Sequence, residues 1–339
     1  MYKISQRRYL GNKNSILPFI DEIIKKEVGK FDSLCDIFSG TGVVGEYFNA
    51  KDKKIISNDL LYQNFVSLNA FLNDEEYDEQ KVKNYIEKFN ASSPTRANYF
   101  SKNFGGRYFS DEVAKKIGFI REEIKKLYIS DAINLKEKHI LLTSLNYAID
   151  RIANTVGHYD AYIKKEIREQ NFEMKMLYID NAKNANNEVH NADANMLIRD
   201  IECDVLYMDP PYNSRQYCDA YHLLENLTKW EKPKVFGVAK KFDRTKIKSN
   251  YSLKSAAESF DDLVVNAKCK YMLLSYNNMA KRGNDRSNAK ISDEDIIKSL
   301  SKRGEVKIFE KDYKAFTTGK SEHADNKERV FFSKVEKVA

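Results

Sequence analysis

Apolar residues recur at helical spacing from Ser15 to Val28, give way to the short apolar run Ser33 to Phe38, and resume helical spacing from Val43 to Asn49. A second apolar run follows from Lys54 to Ser57. Apolar positions three and four apart mark one face of a helix, whereas a short unbroken run marks a strand buried on both faces. The opening third therefore predicts a β-α-β alternation and a parallel sheet.

From Asn73 to Asn187 the pattern changes to long, charged segments of helical period, among them Asp111 to Tyr128 and Leu135 to Ile152, with no strand pattern between them. Strand runs return at Asp204 to Met208, Lys270 to Ser275 and Val306 to Phe309, with helical stretches at Tyr217 to Trp230 and Asp293 to Leu300. The last run, Arg329 to Ser333, suits an edge strand. The expected organisation is an α/β catalytic domain split into residues 1–72 and 188–339 around a helical insertion, 73–187.

Composition adds three constraints. With 339 residues, 42% of them hydrophobic, the chain can bury a large core. The N-terminal Met1 to Arg8 has no apolar stretch of the kind that directs secretion, and no long apolar run follows, so a soluble, cytoplasmic protein with no membrane partner is expected. The four cysteines and five histidines are scattered, which predicts neither a metal site nor a disulfide framework. The formal charge of +7 is a mild excess, but it is concentrated. Lys232, Lys234, Lys240, Lys241, Arg244, Lys246 and Lys248 lie within the segment 231–260, opposed early on by Glu231 and Asp243. Such a patch suits phosphate neutralisation or is simply a solvated loop.

The strand ending at Asp36 leaves through Ile37-Phe38-Ser39-Gly40-Thr41-Gly42-Val43-Val44-Gly45, a glycine-rich turn that opens a helix. Glycines let the backbone approach a ligand closely, and the amides at the helix start face it. The next strand ends in Asn58-Asp59, and an acid about 20 residues past the glycines suits a ribose diol. Together these indicate an adenosine-containing cofactor, either a dinucleotide or S-adenosylmethionine.

A second strand end separates the two. Val205 to Met208 runs into Asp209-Pro210-Pro211-Tyr212, where two prolines remove backbone donors and stiffen the turn. The amine of a nucleobase is a poor nucleophile because its lone pair is delocalised into the ring. The Asp209 carboxylate and the Pro210 carbonyl can each accept one of its N–H bonds, which pyramidalises the nitrogen and turns the lone pair towards a sulfonium methyl. Tyr212 is suited to stack on the ring. Flipping a base from a duplex costs about a few kcal/mol, and stacking on an aromatic returns roughly 1–3 kcal/mol.

Two further segments have weaker readings. Tyr9 and Lys13 of Arg8-Tyr9-Leu10-Gly11-Asn12-Lys13 are suited to cover a cofactor, or belong to a loop that leads into a helix. Asp193 and Ala194, ahead of the Asp209 strand, suit the adenine amine of a cofactor, or Asp193 is a helix cap.

With these segments in this order, the chain resembles the alpha group of adenine-N6 DNA methyltransferases, the Dam-like enzymes and their relatives in type II restriction systems. The resemblance covers most of the chain. It implies a Rossmann-like, S-adenosylmethionine-dependent methyltransferase sheet with a helical inserted target-recognition region. Tyr9, Lys13, Asp36, Phe38, Ser39, Gly40, Thr41, Gly42, Asn58, Asp59, Asp193 and Ala194 would then bind the cofactor, and Asp209, Pro210, Pro211 and Tyr212 would be catalytic. Asn154 to Tyr162 looks like a family loop that meets DNA, which implies contacts from His158 and Tyr159; a hydrogen-bonded loop histidine is the alternative for His158. Tyr212 to Tyr217, which includes Arg215, and Leu274 to Asn277 look like the restriction-associated branch. Lys241, Arg244, Lys246 and Lys248 are added as DNA contacts from the basic segment. The implied function is methylation of a flipped adenine in double-stranded DNA within a restriction-modification or orphan system, with a cognate endonuclease as a further partner.

An RNA methyltransferase acting on the guanine N2 amine shares a similar tetrad, but the long insertion and the Arg8 to Lys13 segment count against it. A glutamine methyltransferase would carry Asn in place of Asp209, and a cytosine-N4 enzyme more often a Ser. A nicotinamide-dependent oxidoreductase would use Gly40, Gly42, Gly45 and Asp59 but leaves Asp209 to Tyr212 without a role. A non-catalytic DNA-binding protein on this fold would have no need of an intact tetrad.

Overall fold

The apolar runs become the strands of one sheet: β1 (Ser33–Asp36), β2 (Lys54–Asn58), β3 (Glu188–His190), β4 (Glu202–Met208), β5 (Lys268–Ser275), β6 (Val306–Asp312) and β7 (Lys327–Lys334). The computed structural model describes residues 1–11, 13–167, 169–277, 289–312 and 327–336. The strand order is β3-β2-β1-β4-β5-β7-β6, parallel from β3 to β5, with β7 antiparallel to both neighbours. This is the expected Rossmann-like sheet. The chain steps outwards one way from β1 and the other way from β4, so the crevice at their carboxyl ends is the topological switch point where such sheets bind ligands. Asp36 closes β1 there, opposite Tyr207 of β4.

β4 is buried from Cys203 to Met208, as a central parallel strand requires. One face of the sheet packs Leu206, Met208, Met272, Leu274 and Phe331 against the helices Ala256–Asn266 and Asp293–Leu300 through Phe260, Leu263, Ile296 and Leu300. The Arg329 to Ser333 run is not at the edge. It lies within β7, hydrogen-bonded on both sides, because Val330, Phe331 and Phe332 are all buried and need cover on both faces. The edge is β6, whose Lys307, Glu310 and Lys311 deter strand addition.

The chain divides into two compact units: Lys13–Leu60, Asn186–Tyr217 and Lys248–Ala339 hold the sheet, while Met1–Asn12, Leu61–Ala185 and Cys218–Ile247 form a helical unit. The helical unit is thus larger than the stretch 73–187. The helix Tyr62–Leu72 belongs to it, because the Glu225 carboxylate caps its first turn by accepting from the amides of Tyr62 (3.1 Å) and Gln63 (2.9 Å). The stretch Tyr217 to Trp230 breaks at Tyr221 into two short helices, Tyr217–Ala220 and His222–Lys229. Among the described residues no helix is long and apolar enough to cross a membrane.

The N-terminal residues are fixed into the helical unit by Arg7, whose buried guanidinium meets Asp150 Oδ2 at 3.1 Å and donates to Asn64 Oδ1 at 2.9 Å and to the Gln63 side-chain oxygen. Tyr159 donates to the other Asp150 oxygen at 2.6 Å. Removing one partner of a buried pair strands the other charge. Asp150→Ala is therefore expected to lower the unfolding free energy by about 3 kcal/mol or more in chemical denaturation. A loss below about 1 kcal/mol would show that Arg7 regains solvation in the variant.

Candidate active site

Within the sheet unit, the exits of β1, β2 and β3 are stitched together at the glycine turn. Gly40 (φ +55°) and Gly42 (φ +85°) adopt left-handed conformations that a side chain would strain, and Gly42 caps the helix Val43–Phe48. The Gly40 amide donates to Asp59 Oδ2 at 2.9 Å, so the acid assigned to a ribose also pins the loop. Ser39 donates from its hydroxyl to the Asp36 carbonyl at 2.7 Å and accepts from the Asn58 amide at 3.1 Å. The Asn58 side chain donates to the carbonyls of Ile37 and Ala192 and accepts from the Ala192 amide. It is buried with both side-chain polar atoms engaged, so Asn58 holds the loops in place.

Asp36 is 1% exposed, and neither of its carboxylate oxygens has a hydrogen-bond partner. Burial pushes its pKa well up, reinforced by the charges of Asp209 and Asp59; the nearby Phe38 amide and Ser39 hydroxyl only partly counter this. Thr41 and Ala194 are buried, and Phe38 packs edge-on to Tyr251 with ring centroids 4.9 Å apart. Asp193 is the cap of the short helix Ala194–Leu197, accepting from the amides of Asn195 and Met196 through Oδ1. Oδ2 takes no part in that cap.

Asp209, at the end of β4, makes two close contacts through Oδ1: Lys13 Nζ at 3.1 Å and the Tyr212 hydroxyl, which donates at 2.5 Å. Oδ2 takes part in neither. Burial raises the Asp209 pKa, while the Lys13 ammonium and the Tyr212 hydroxyl pull it back down. Lys13 also lies 4.8 Å from the centroid of the Tyr212 ring. It thus lies against both Asp209 and Tyr212. Tyr212 is held edge-on against Tyr276, centroids 4.8 Å apart, and its carbonyl accepts from the Tyr276 hydroxyl (3.2 Å) and the Lys290 amide (2.8 Å).

Tyr276 is therefore a positioning residue missing from the predicted site, although the stretch Leu274 to Asn277 carried the signal. Glu328, at the start of β7, is a second omission: its pKa is raised by burial and by Asp209 and lowered by Lys13, and its Oε2 is buried without a partner. No local motif marks it. The remaining sheet-unit candidates, Arg215 and Lys248, are exposed.

The other DNA candidates, and the cofactor candidate Tyr9, lie in the helical unit. Tyr9 stacks on Tyr221 at 4.6 Å with the rings 10° apart and accepts from the Asn64 side chain. Asn12 of the same motif lies outside the described residues. Tyr159 is 2% exposed with its hydroxyl on Asp150, so its side chain belongs to the core and is corrected from a DNA contact to an anchor for its loop. His158 is half-buried with Nδ1 3.8 Å from Asp160 Oδ2. Asp160 also holds Lys241 at 2.7 Å, and Asp219 holds Arg244 at 2.7 Å and Lys241 at 3.6 Å. The His158 loop and the basic segment are thus joined, but two of the predicted cations are spent on that joint. Lys246 is exposed.

A family model described as D12 class N6 adenine-specific DNA methyltransferase matches residues 9–277. Modification methylase StsI of Streptococcus sanguinis is 32% identical over 333 residues, covering 91% of this chain and 48% of its own. Type II methyltransferase M.FokI of Planomicrobium okeanokoites is 31% identical over 347 residues, covering 96% and 52%. Type II methyltransferase M.NlaIII of Neisseria lactamica is 28% identical over 339 residues, covering 96% of each chain. The chain spans about half the length of the first two of these relatives and nearly all of the third. The matched region holds Lys13, the glycine turn, Asp209 to Tyr212 and Tyr276, the residues that the sheet brings to its carboxyl edge. The chain belongs to the D12 class of N6 adenine-specific DNA methyltransferases.

Proposed function

We propose that this chain transfers a methyl group from S-adenosylmethionine to N6 of an adenine flipped out of double-stranded DNA. The observation that carries this reading is Asp209, whose two close contacts both fall on Oδ1 at the carboxyl end of β4. Oδ2 is then the acceptor for one adenine N–H, and the Pro210 carbonyl the acceptor for the other. Neither group has to remove the proton before methyl transfer. Lys13 favours the ionised carboxylate against the effect of burial, and Tyr212, clamped by Tyr276, stacks on the ring.

Membership of the family implies a methyl donor, and the residues present suit S-adenosylmethionine. Asp36 is a buried carboxylate whose orphaned oxygens suit a cationic ligand, and unpaired buried charge calls for such a partner. Gly40 and Gly42 leave room for close approach, Asp59 suits a ribose, and Oδ2 of Asp193 suits an adenine amine. S-adenosylmethionine, when bound, supplies an electrophilic methyl on a sulfonium.

The helical unit is proposed as the target-recognition region, with the His158 loop and Lys246 on the DNA and Arg215 and Lys248 of the sheet unit contributing. The relatives' names, modification methylase and type II methyltransferase, support a restriction-modification role with an endonuclease of the same target as functional partner. The comparisons give no support to the RNA guanine alternative.

The direct test is expression in a methylation-free host and mapping of modified bases, where N6-methyladenine at a fixed motif is expected and modified ribosomal guanine would refute the reading. Asp209→Ala should remain folded and lose roughly a hundredfold or more in turnover. Because Lys13 lowers the Asp209 pKa, Lys13→Met is expected to move the acid limb of the pH–rate profile to higher pH; a limb that stays in place would remove Asp209 from it.

Folding raises the Asp36 pKa above an unfolded value of about 3.9, so its contribution to stability is fully present below that value and is lost as pH rises towards the folded pKa. Asp36→Asn should therefore be more stable than the wild type near pH 7 without ligand, by a margin that shrinks towards about pH 4, and should bind S-adenosylhomocysteine more weakly in calorimetry. Unchanged affinity would separate Asp36 from the cofactor.

A further inference from the structure

The basic segment of the helical unit contains a tight hairpin whose tip is apolar and held out in water. The Phe236 amide donates to the Lys241 carbonyl at 2.7 Å and the Lys241 amide returns to the Phe236 carbonyl at 3.0 Å, with Gly237 (φ +67°) and Lys240 (φ +54°) making the reversal. The hairpin is not loose. The buried Tyr108 hydroxyl lies 3.0 Å from the Ala239 carbonyl and 2.8 Å from that of Tyr159, and Lys241 is fastened to Asp160. The incoming arm is fixed by the Tyr99 hydroxyl, which donates to the Pro233 carbonyl at 2.6 Å.

On this rigid mount Phe236 is 56% exposed and Val238 69% exposed. Single exposed apolar residues are ordinary, but two on one anchored tip are an arrangement that the fold itself does not use. Two lysines lie at the tip, Lys234 with Nζ 5.5 Å from the Phe236 centroid and Lys240 in the turn, and Lys246 is exposed further along the segment. Since Lys241 and Arg244 are neutralised by Asp160 and Asp219, the phosphate-seeking charge of the segment rests on Lys234, Lys240 and Lys246.

Cations beside an apolar wedge suit duplex DNA, where the cations meet phosphates and the wedge enters a base step and unstacks it. We propose that the hairpin is such a wedge, with Phe236 and Val238 inserting between base pairs while the three lysines hold the backbone. The inference rests on the proposed function and adds to it a site on the helical unit that lowers the cost of distorting the duplex.

The test uses the full-length protein and a duplex that the wild type binds and methylates. Phe236→Ser with Val238→Ser should weaken duplex binding roughly five-fold or more while leaving the slope of log affinity against log salt unchanged, because no phosphate contact is lost. Lys234→Ala should instead flatten the slope. Phe236→Trp adds an exposed indole to a chain whose one other tryptophan, Trp230, is 4% exposed, and its emission should be quenched on DNA binding by stacking on bases. Unaltered affinity of the double variant, or tryptophan emission indifferent to bound DNA, would overturn the wedge while leaving the methyltransferase reading in place. A wild type that neither binds nor methylates duplex DNA would overturn both.

Discussion

The pairing of Lys13 with Asp209 is the contact on which the rest of the sheet unit's chemistry turns. Asp209 follows directly on β4, which is buried from Cys203 to Met208, so it loses solvation and its pKa rises. A protonated acid accepts no second hydrogen bond from an amine with comparable strength. The ammonium of Lys13, 3.1 Å away, pulls the pKa back down, and the Tyr212 hydroxyl falls on the same oxygen, so that Oδ2 is engaged by neither. The prolines stiffen this exit, and Tyr276 prevents the Tyr212 ring from turning away. A strand that had ended in water would not need the lysine, but would offer a weaker, fully hydrated acceptor.

The same economy of contacts governs the glycine turn. Asn58 and Asp59 hold the exits of three strands in one arrangement, so the loop is formed before any ligand arrives. A loop organised in advance spends less binding energy on ordering. In the helical unit Arg7 serves a comparable purpose, gathering Asp150, Asn64 and Gln63, while Asp150 in turn fixes Tyr159 and with it the loop that carries His158.

What was legible in the sequence is what depends on local chemistry. The glycine turn and the Pro-Pro exit announce themselves because only those residues allow those backbones, and unbroken apolar runs predict β1, β4 and β5 because central parallel strands tolerate little else. What was not legible depends on pairing across the chain. The interior place of β7 follows from hydrogen bonds to β5 and β6, for which an apolar pentapeptide carries no signal. The contact of Lys13 with Asp209 is another such pairing, since nothing in the sequence around Lys13 identifies its partner. Lys241 and Arg244 read as free cations because Asp160 and Asp219 lie elsewhere in the chain, and Tyr159 read as a contact because its burial is tertiary. The 73–187 boundary moved for the same reason: Glu225 claims the helix Tyr62–Leu72 from far downstream.

The sheet unit also stores electrostatic cost in a consistent direction. Asp36, Asp209 and Glu328 all have raised pKa values; Asp209 contributes to raising the other two, and Lys13 acts on Asp209 and Glu328. Ionising these buried carboxyls costs free energy, the kind of local conflict that folds retain at working sites. A cationic ligand beside such carboxyls would reverse the sign of the problem, since an ionised carboxyl is a favourable neighbour of positive charge. Binding of such a ligand would then stabilise the sheet unit by linkage as well as by contact.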